Sequence, residues 1–299
     1  QLSLKGMNAF APWFRSPPPT FEPPLPPSAV PFWGPVTANY DWCESNYAVS
    51  QYVAEFFNSI SSLPTFTVGV YFLLQSTSSH YGFKFSLAGA MLALVGLGSV
   101  AFHATLTRAG QVLDEIPMLY SSSIFLWIAG SLHFPVGKQG DVQSARLGCA
   151  LLAYCVMVTA AYANGGFEVF FVAYALTVVA VAITSVRAAS KSAVKTTTRP
   201  YVIWALCIYI GGFATLWVPE QLFCGNRLQV TGHSPLQDLP VPLHSLFHIT
   251  SSIGPLAWLT FAAFEELHRA KRGPVITWRR HPLLWGLTGP AVLPRRVSP

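Results

Sequence analysis

The stretch "HSLFH" places His244 and His248 four residues apart. Four residues is about one helical turn, so on a helix both imidazoles leave the same face. That arrangement is the geometry of a two-histidine metal clamp, and equally that of two core histidines satisfied by hydrogen bonds between helices. The glutamate of the soluble H-E-x-x-H proteases does not stand between them. A second stretch, "GSVAFHATLTRAGQVLDEIPMLY", adds Ser99 and His103, again one turn apart, and then Asp114. Three neutral histidines with one open position make the ligand set of a hydrolytic zinc centre, where a bound water acquires a pKa of about 7. Asp114 is then available as a base or proton shuttle beside the metal. In the plainer alternative Asp114 caps a helix and pairs with Arg108.

A third group lies in "DWCESNYAVSQYVAEFFNS", residues 41–59. Asp41, Glu44 and Asn46 offer oxygens from an exposed segment, and Glu55 follows among Val53, Ala54, Phe56 and Phe57. Hard oxygen donors gathered from loop and helix suit Ca2+, which takes about six to eight of them in irregular geometry. The spacing is not that of an EF-hand, since Tyr52 would fall where such a loop carries its last glutamate. A solvated acidic helix start accounts for Asp41 and Glu44. It accounts poorly for Glu55, because a carboxylate among apolar neighbours needs a partner.

The elements that must position these groups follow from composition. The chain has 299 residues, 52% hydrophobic and only 10% charged, with a mean hydropathy of +0.43. Polar surface this sparse does not cover a water-soluble globule of that size, so the chain belongs in a bilayer. A helix needs roughly 20 mainly apolar residues to cross the hydrocarbon. Seven such runs are found, near 49–75, 83–106, 112–134, 146–164, 167–187, 201–222 and 242–265, the fourth blurred at its end by "ANGG". The expected fold is an all-α, seven-transmembrane-helix bundle over residues 41–267. A proline-dense arm, 1–40, precedes it without helical period, and a basic tail, 268–299, follows. The opening residues lack the pattern of a cleavable signal peptide, and Met7 is the expected natural start. Ionisable groups inside such runs are costly and mark function by default.

Lysine and arginine set the orientation. Lys138 and Arg146, then Arg187, Lys191, Lys195 and Arg199, then Arg269, Lys271, Arg272, Arg279 and Arg280, all fall on one side of a seven-span bundle. The N terminus is therefore expected on the lumenal or extracellular side and the C terminus in the cytosol. The net charge of +6 is read as this topology signal and not as a nucleic-acid surface. On the lumenal side the end of run two and the starts of runs three and seven bring Ser99, His103, Asp114, His244 and His248 to one depth. Cys43 and Cys224 share that oxidising side and can pair there, whereas Cys149, Cys155 and Cys207 read as small buried hydrophobes.

The stretches "DWCESNYAVSQYVAEFFNSIS", "GLGSVAFHATL" and "QVLDEIPMLYSS", with the late H-x-x-x-H, are similar in order and content to the signatures of the alkaline ceramidases, relatives in architecture of the adiponectin receptors. The resemblance spans nearly the whole membrane region. It implies an intramembrane amidase that hydrolyses ceramide to a sphingoid base and a fatty acid, in an endoplasmic reticulum or Golgi membrane. It implies zinc on His103, His244 and His248, assisted by Ser99 and Asp114. It also implies calcium on Asp41, Glu44, Asn46, Glu55 and the carbonyl of Trp42, and a disulfide between Cys43 and Cys224. Near Cys224 the family's W-N-x-D-N-x-F-C here reads "WVPEQLFC", and Ser245, Leu246 and Phe247 replace a tryptophan-rich stretch. Two rival readings are a seven-helix receptor with a structural zinc, which binds without turnover, and a hydrolase of another lipid in the same superfamily.

Overall fold

The computed structural model describes residues 31–165, 167–225, 235–280 and 288–294. Among them are seven helical spans long and apolar enough to cross a membrane, from Phe56–Ser78 to Leu243–Arg269. The chain is a multi-pass membrane bundle.

The first span begins at residue 56 and not near 49. Residues 47–55 instead form a compact turn, in which Tyr47 N–H donates to Ala54 O at 2.7 Å and Glu55 N–H to His103 O at 2.9 Å. Glu55 therefore precedes the helix, in extended conformation (φ −111°, ψ 92°), and is not carried on it. The span itself is two helices, α1 (Phe56–Ser61) and α2 (Leu63–Ser78). Pro64 near the start of α2 explains the break, since proline donates no N–H and clashes with the preceding turn. Next come α3 (Phe83–Thr105) and α4 (Arg108–Ser131), joined by Leu106 in left-handed conformation and by Thr107, whose hydroxyl caps α4.

Small residues let α2, α3 and α4 approach closely, as suits packing in lipid, where apolar burial no longer drives association. A Cβ on Gly96 would lie 2.2 Å from Phe66 N, and one on Gly98 would lie 1.9 Å from Leu113 O. The second approach matters for the site, because Ser99 follows Gly98 and Asp114 follows Leu113.

α5 (Lys138–Gly165) starts eight residues before the apolar run predicted from 146. Its polar first turns, Lys138 to Arg146, extend the helix at the edge of the apolar zone. It lies at the periphery, with 6% of its apolar window buried. α6 (Phe167–Lys191) follows. The sixth span is irregular at its end: α7 (Lys195–Gly212) gives way to a π-helical turn, Phe213–Trp217, then α8 (Val218–Glu220) and a second π turn, Gln221–Gly225. Pro219 contributes by removing one donor from this stretch. α9 (Leu243–Arg269) closes the bundle.

The main core, including Phe85, Leu92, Phe125, Ile128, Trp258, Leu259 and Phe261, knits α3, α4 and α9. Beyond α9 the tail turns back as an antiparallel hairpin, β1 (Pro274–Arg280) with β2 (Thr288–Pro294), Pro274 facing Pro294. Periodicity had not suggested these strands. The Tyr81 hydroxyl donates to Val292 O at 2.6 Å and accepts from Val292 N–H at 3.1 Å, fastening the hairpin under the bundle.

Candidate metal centre

His103 ends α3, and His244 and His248 lie in the first two turns of α9. All three are buried, at 0%, 4% and 8% exposure. Their ligating nitrogens lie within 4.8 Å of one another, and the ring centroids are 4.4 to 5.1 Å apart. Buried imidazoles ordinarily find hydrogen-bond partners. Here His103 Nε2 and His244 Nδ1 have none. The alternative of hydrogen-bonded core histidines therefore leaves two buried nitrogens unexplained, and a metal ion would satisfy them.

The Nδ1 atoms of His103 and His248 are held. His103 Nδ1 lies 2.5 Å from Glu55 Oε2. His248 Nδ1 lies 2.9 Å from Ser61 Oγ and 3.2 Å from Asn58 O. A carboxylate or carbonyl on Nδ1 keeps the proton there and presents Nε2 as a lone pair, the arrangement found behind metal-ligating histidines. Trp42 stacks on His244 with centroids 3.5 Å apart and planes at 19°.

Ser99 and Asp114 are brought side by side, and the Ser99 hydroxyl receives the Ser62 hydroxyl at 3.0 Å. Asp114 does not pair with Arg108. That guanidinium donates to Gln111 Oε1 at 3.0 Å and to the Tyr162 hydroxyl at 2.7 Å, and Thr107 caps the helix.

The oxygen-rich segment is gathered but differently occupied. Glu44 caps α1, accepting from Phe57 N–H at 2.7 Å and Asn58 N–H at 2.9 Å. Glu55 accepts from Trp42 N–H at 3.0 Å and from the Asn58 amide at 3.2 Å. Asp41 accepts from the Asn46 amide at 3.0 Å, while Asn46 Oδ1 is buried without a donor. Burial pushes the Glu55 carboxyl up to about 8, with Asn58 opposing and the charge of Glu44 adding to it. Burial likewise raises Glu44. Among the described residues the three histidines are the group of side chains close enough to share one ion, and Asp41, Glu44 and Glu55 do not form a second.

The family model of Ceramidase matches residues 34–285, most of the chain. The chain belongs to the ceramidase family. Alkaline ceramidase 3 of Mus musculus is 28% identical over 241 residues, covering 79% of this chain and 86% of its own. Alkaline ceramidase 1 of Homo sapiens is 26% identical over 242 residues, 77% of this chain and 83% of its own. The alkaline ceramidase of Drosophila melanogaster is 25% identical over 275 residues, 85% and 87% respectively. The family is one of hydrolases acting on the ceramide amide bond, so this ceramidase is an enzyme.

Two features of this ceramidase were not read from its sequence. Glu55 reaches His103 across a turn that no periodicity announces. Asn58, Ser61 and Ser62 surround His248, and their signal was present as "NSISS", a polar run inside an apolar span. Cys43 and Cys224 are joined as a disulfide, with Cα atoms 5.6 Å apart. Cys155 is buried as expected, but Cys149 and Cys207 are exposed. They lie on outward helix faces of α5 and α7.

Proposed function

We propose that this ceramidase is a zinc-dependent intramembrane amidase that hydrolyses ceramide to a sphingoid base and a free fatty acid, with calcium at the amino-terminal segment. The observation that carries the reading is the buried triad of His103, His244 and His248 with two unpartnered nitrogens, in a chain matched by the Ceramidase family over 34–285. A zinc ion on these histidines would supply Lewis-acid activation of water and polarisation of the amide carbonyl.

The chain's own residues supply the rest. Asp114 takes a proton from the attacking water as the water oxygen bonds to the amide carbon, and returns it to the nitrogen as the C–N bond breaks. Ser99, whose hydroxyl oxygen accepts from Ser62, keeps its own proton to donate to the developing oxyanion. Glu55 holds His103 by Nδ1, and Asn58 with Ser61 and Ser62 hold His248. The ceramide amide lies between head group and acyl chains, so a centre near one end of an apolar bundle sits at the depth the substrate presents.

For calcium, Asp41, Glu44, Asn46, Glu55 and the carbonyl of Trp42 are the proposed ligands. Support comes from carboxyls that burial holds above their usual range and from the undonated Asn46 Oδ1, since a cation relieves both. The proposed orientation puts this end in the lumen and the tail in the cytosol, in an endoplasmic reticulum or Golgi membrane. The test is incubation of purified protein with ceramides of several chain lengths, measuring free sphingoid base together with bound zinc. About one zinc per chain and base release that His103→Ala abolishes are expected. Stoichiometric zinc in a variant lacking all three histidines would overturn the assignment.

A further inference from the structure

We propose that Glu220 is a positioning residue for the metal centre: a carboxylate lent by the end of the sixth span to the start of α9, fixing the backbone of His244 and of the disulfide-bearing segment together. The proposal rests on the reading of the three histidines as a metal site and adds a residue that the sequence motifs did not single out.

The first four N–H groups of any α-helix lack partners within it. In α9 the capping position is Pro242, whose side chain makes no cap hydrogen bond, and the first turn has no acidic residue. His244 stands in that turn. Its own N–H donates to Glu220 Oε2 at 2.6 Å. The other oxygen, Oε1, accepts from Cys43 N–H at 3.1 Å. Glu220 is 1% exposed, and no lysine or arginine forms an ion pair with it among the described residues. A carboxylate so buried is costly unless hydrogen bonds and local dipoles replace its water. Two backbone N–H groups and the positive end of α9 are what the fold supplies.

Both contacts reach the proposed site directly. His244 is itself a proposed ligand, so anchoring its N–H sets where the imidazole starts. Cys43 lies between Trp42, which stacks on His244, and Glu44, which caps α1. The same stretch of chain reinforces this hold through the Cys43–Cys224 disulfide and through the Tyr40 hydroxyl, which bonds Gln221 Oε1. The π turns on either side of α8 set the register that brings Glu220, Gln221 and Cys224 inward; all three are buried.

The experiment measures zinc affinity by chelator competition, and the visible spectrum of the cobalt-substituted protein, for the parent, Glu220→Gln and Glu220→Asp. Tyr81→Phe, which loses the hydroxyl clamp on Val292 at the other end of the bundle, controls for plain destabilisation. Glu220→Gln keeps one acceptor and turns an amide donor toward the second N–H. It should weaken zinc about tenfold or more, the range for groups that orient metal ligands, and shift the cobalt bands. Glu220→Asp keeps the charge and should bind more tightly than Glu220→Gln. Tyr81→Phe should lower the melting temperature with zinc affinity and spectrum unchanged. Parent affinity and spectrum in Glu220→Gln, or equal zinc loss in the Tyr81→Phe control, overturns the proposal alone. A parent that binds no zinc overturns the metal reading and this proposal with it.

Discussion

Replacing Glu55 by Gln tests how far the carboxylate segment and the histidines act as one site. The Glu55 carboxylate accepts from three donors: Trp42 N–H on one oxygen, and His103 Nδ1 with the Asn58 amide on the other. Gln offers one acceptor oxygen and one NH2. With its oxygen toward His103, the NH2 faces Trp42 N–H; flipped, it faces His103 and Asn58. Either way at least one buried donor confronts another donor, at a cost of about 1–3 kcal/mol. At about 1.4 kcal/mol per factor of ten, that is roughly 5- to 150-fold, which brackets the roughly 10–100-fold range for partners of metal-bound histidines. The expected result is zinc affinity weakened about 10–100-fold by chelator competition, with hydrolysis falling in parallel and partly recovered at high zinc. Glu55→Gly should be worse, because it removes every acceptor and leaves His103 and Trp42 unsatisfied. Its harm would not come from helix propensity, since Glu55 is extended and a capping position tolerates Gly. Zinc affinity in Glu55→Gln equal to that of the parent would refute the link between the two parts of the site.

Asp114→Asn should retain zinc while turnover falls about 10²- to 10⁴-fold, the range for loss of a positioned proton-transfer group; parent-like turnover would make Asp114 structural. Gly98→Ala should separate Ser99 from Asp114, since the added Cβ would meet Leu113 O at 1.9 Å, and an overpacked contact costs about 1–3 kcal/mol; unchanged activity and melting temperature would contradict that close approach. Chelation of calcium should lower the melting temperature, more so at higher pH. The folded Glu55 carboxyl is raised from 4.5 to about 8, so without a cation the folded chain keeps a proton the unfolded chain has released, and stability falls as pH rises through that window. Calcium would offset the loss by occupying the ionised form. A chelator effect that is absent, or that shrinks with rising pH, would count against calcium there.

The seven spans were legible because the bilayer demands about 20 apolar residues per crossing regardless of what packs beside them. The histidines at one helical turn were legible for the same reason of fixed geometry: a 3.6-residue period places positions four apart on one face. Element ends were less so. The first helix starts at residue 56 because residues 47–55 spend their N–H groups on a turn and on His103 O, a choice made by contacts from α3. The terminal hairpin was missed because its strands draw support from Tyr71 and Tyr81, far away in the chain.

The sequence by itself determined a membrane bundle and the identity of the metal-competent histidines, since each rests on residue type and on the length and period of a helix. Only the tertiary structure decided which groups stand behind the histidines. Glu55 is 48 residues from His103, Ser61 is 187 from His248, and Glu220 is 24 from His244. No local period links positions so far apart. They meet because Pro64 breaks the first span, Gly98 admits α4 against α3, and the π turns of the sixth span bring Glu220 to the bare N–H groups of α9.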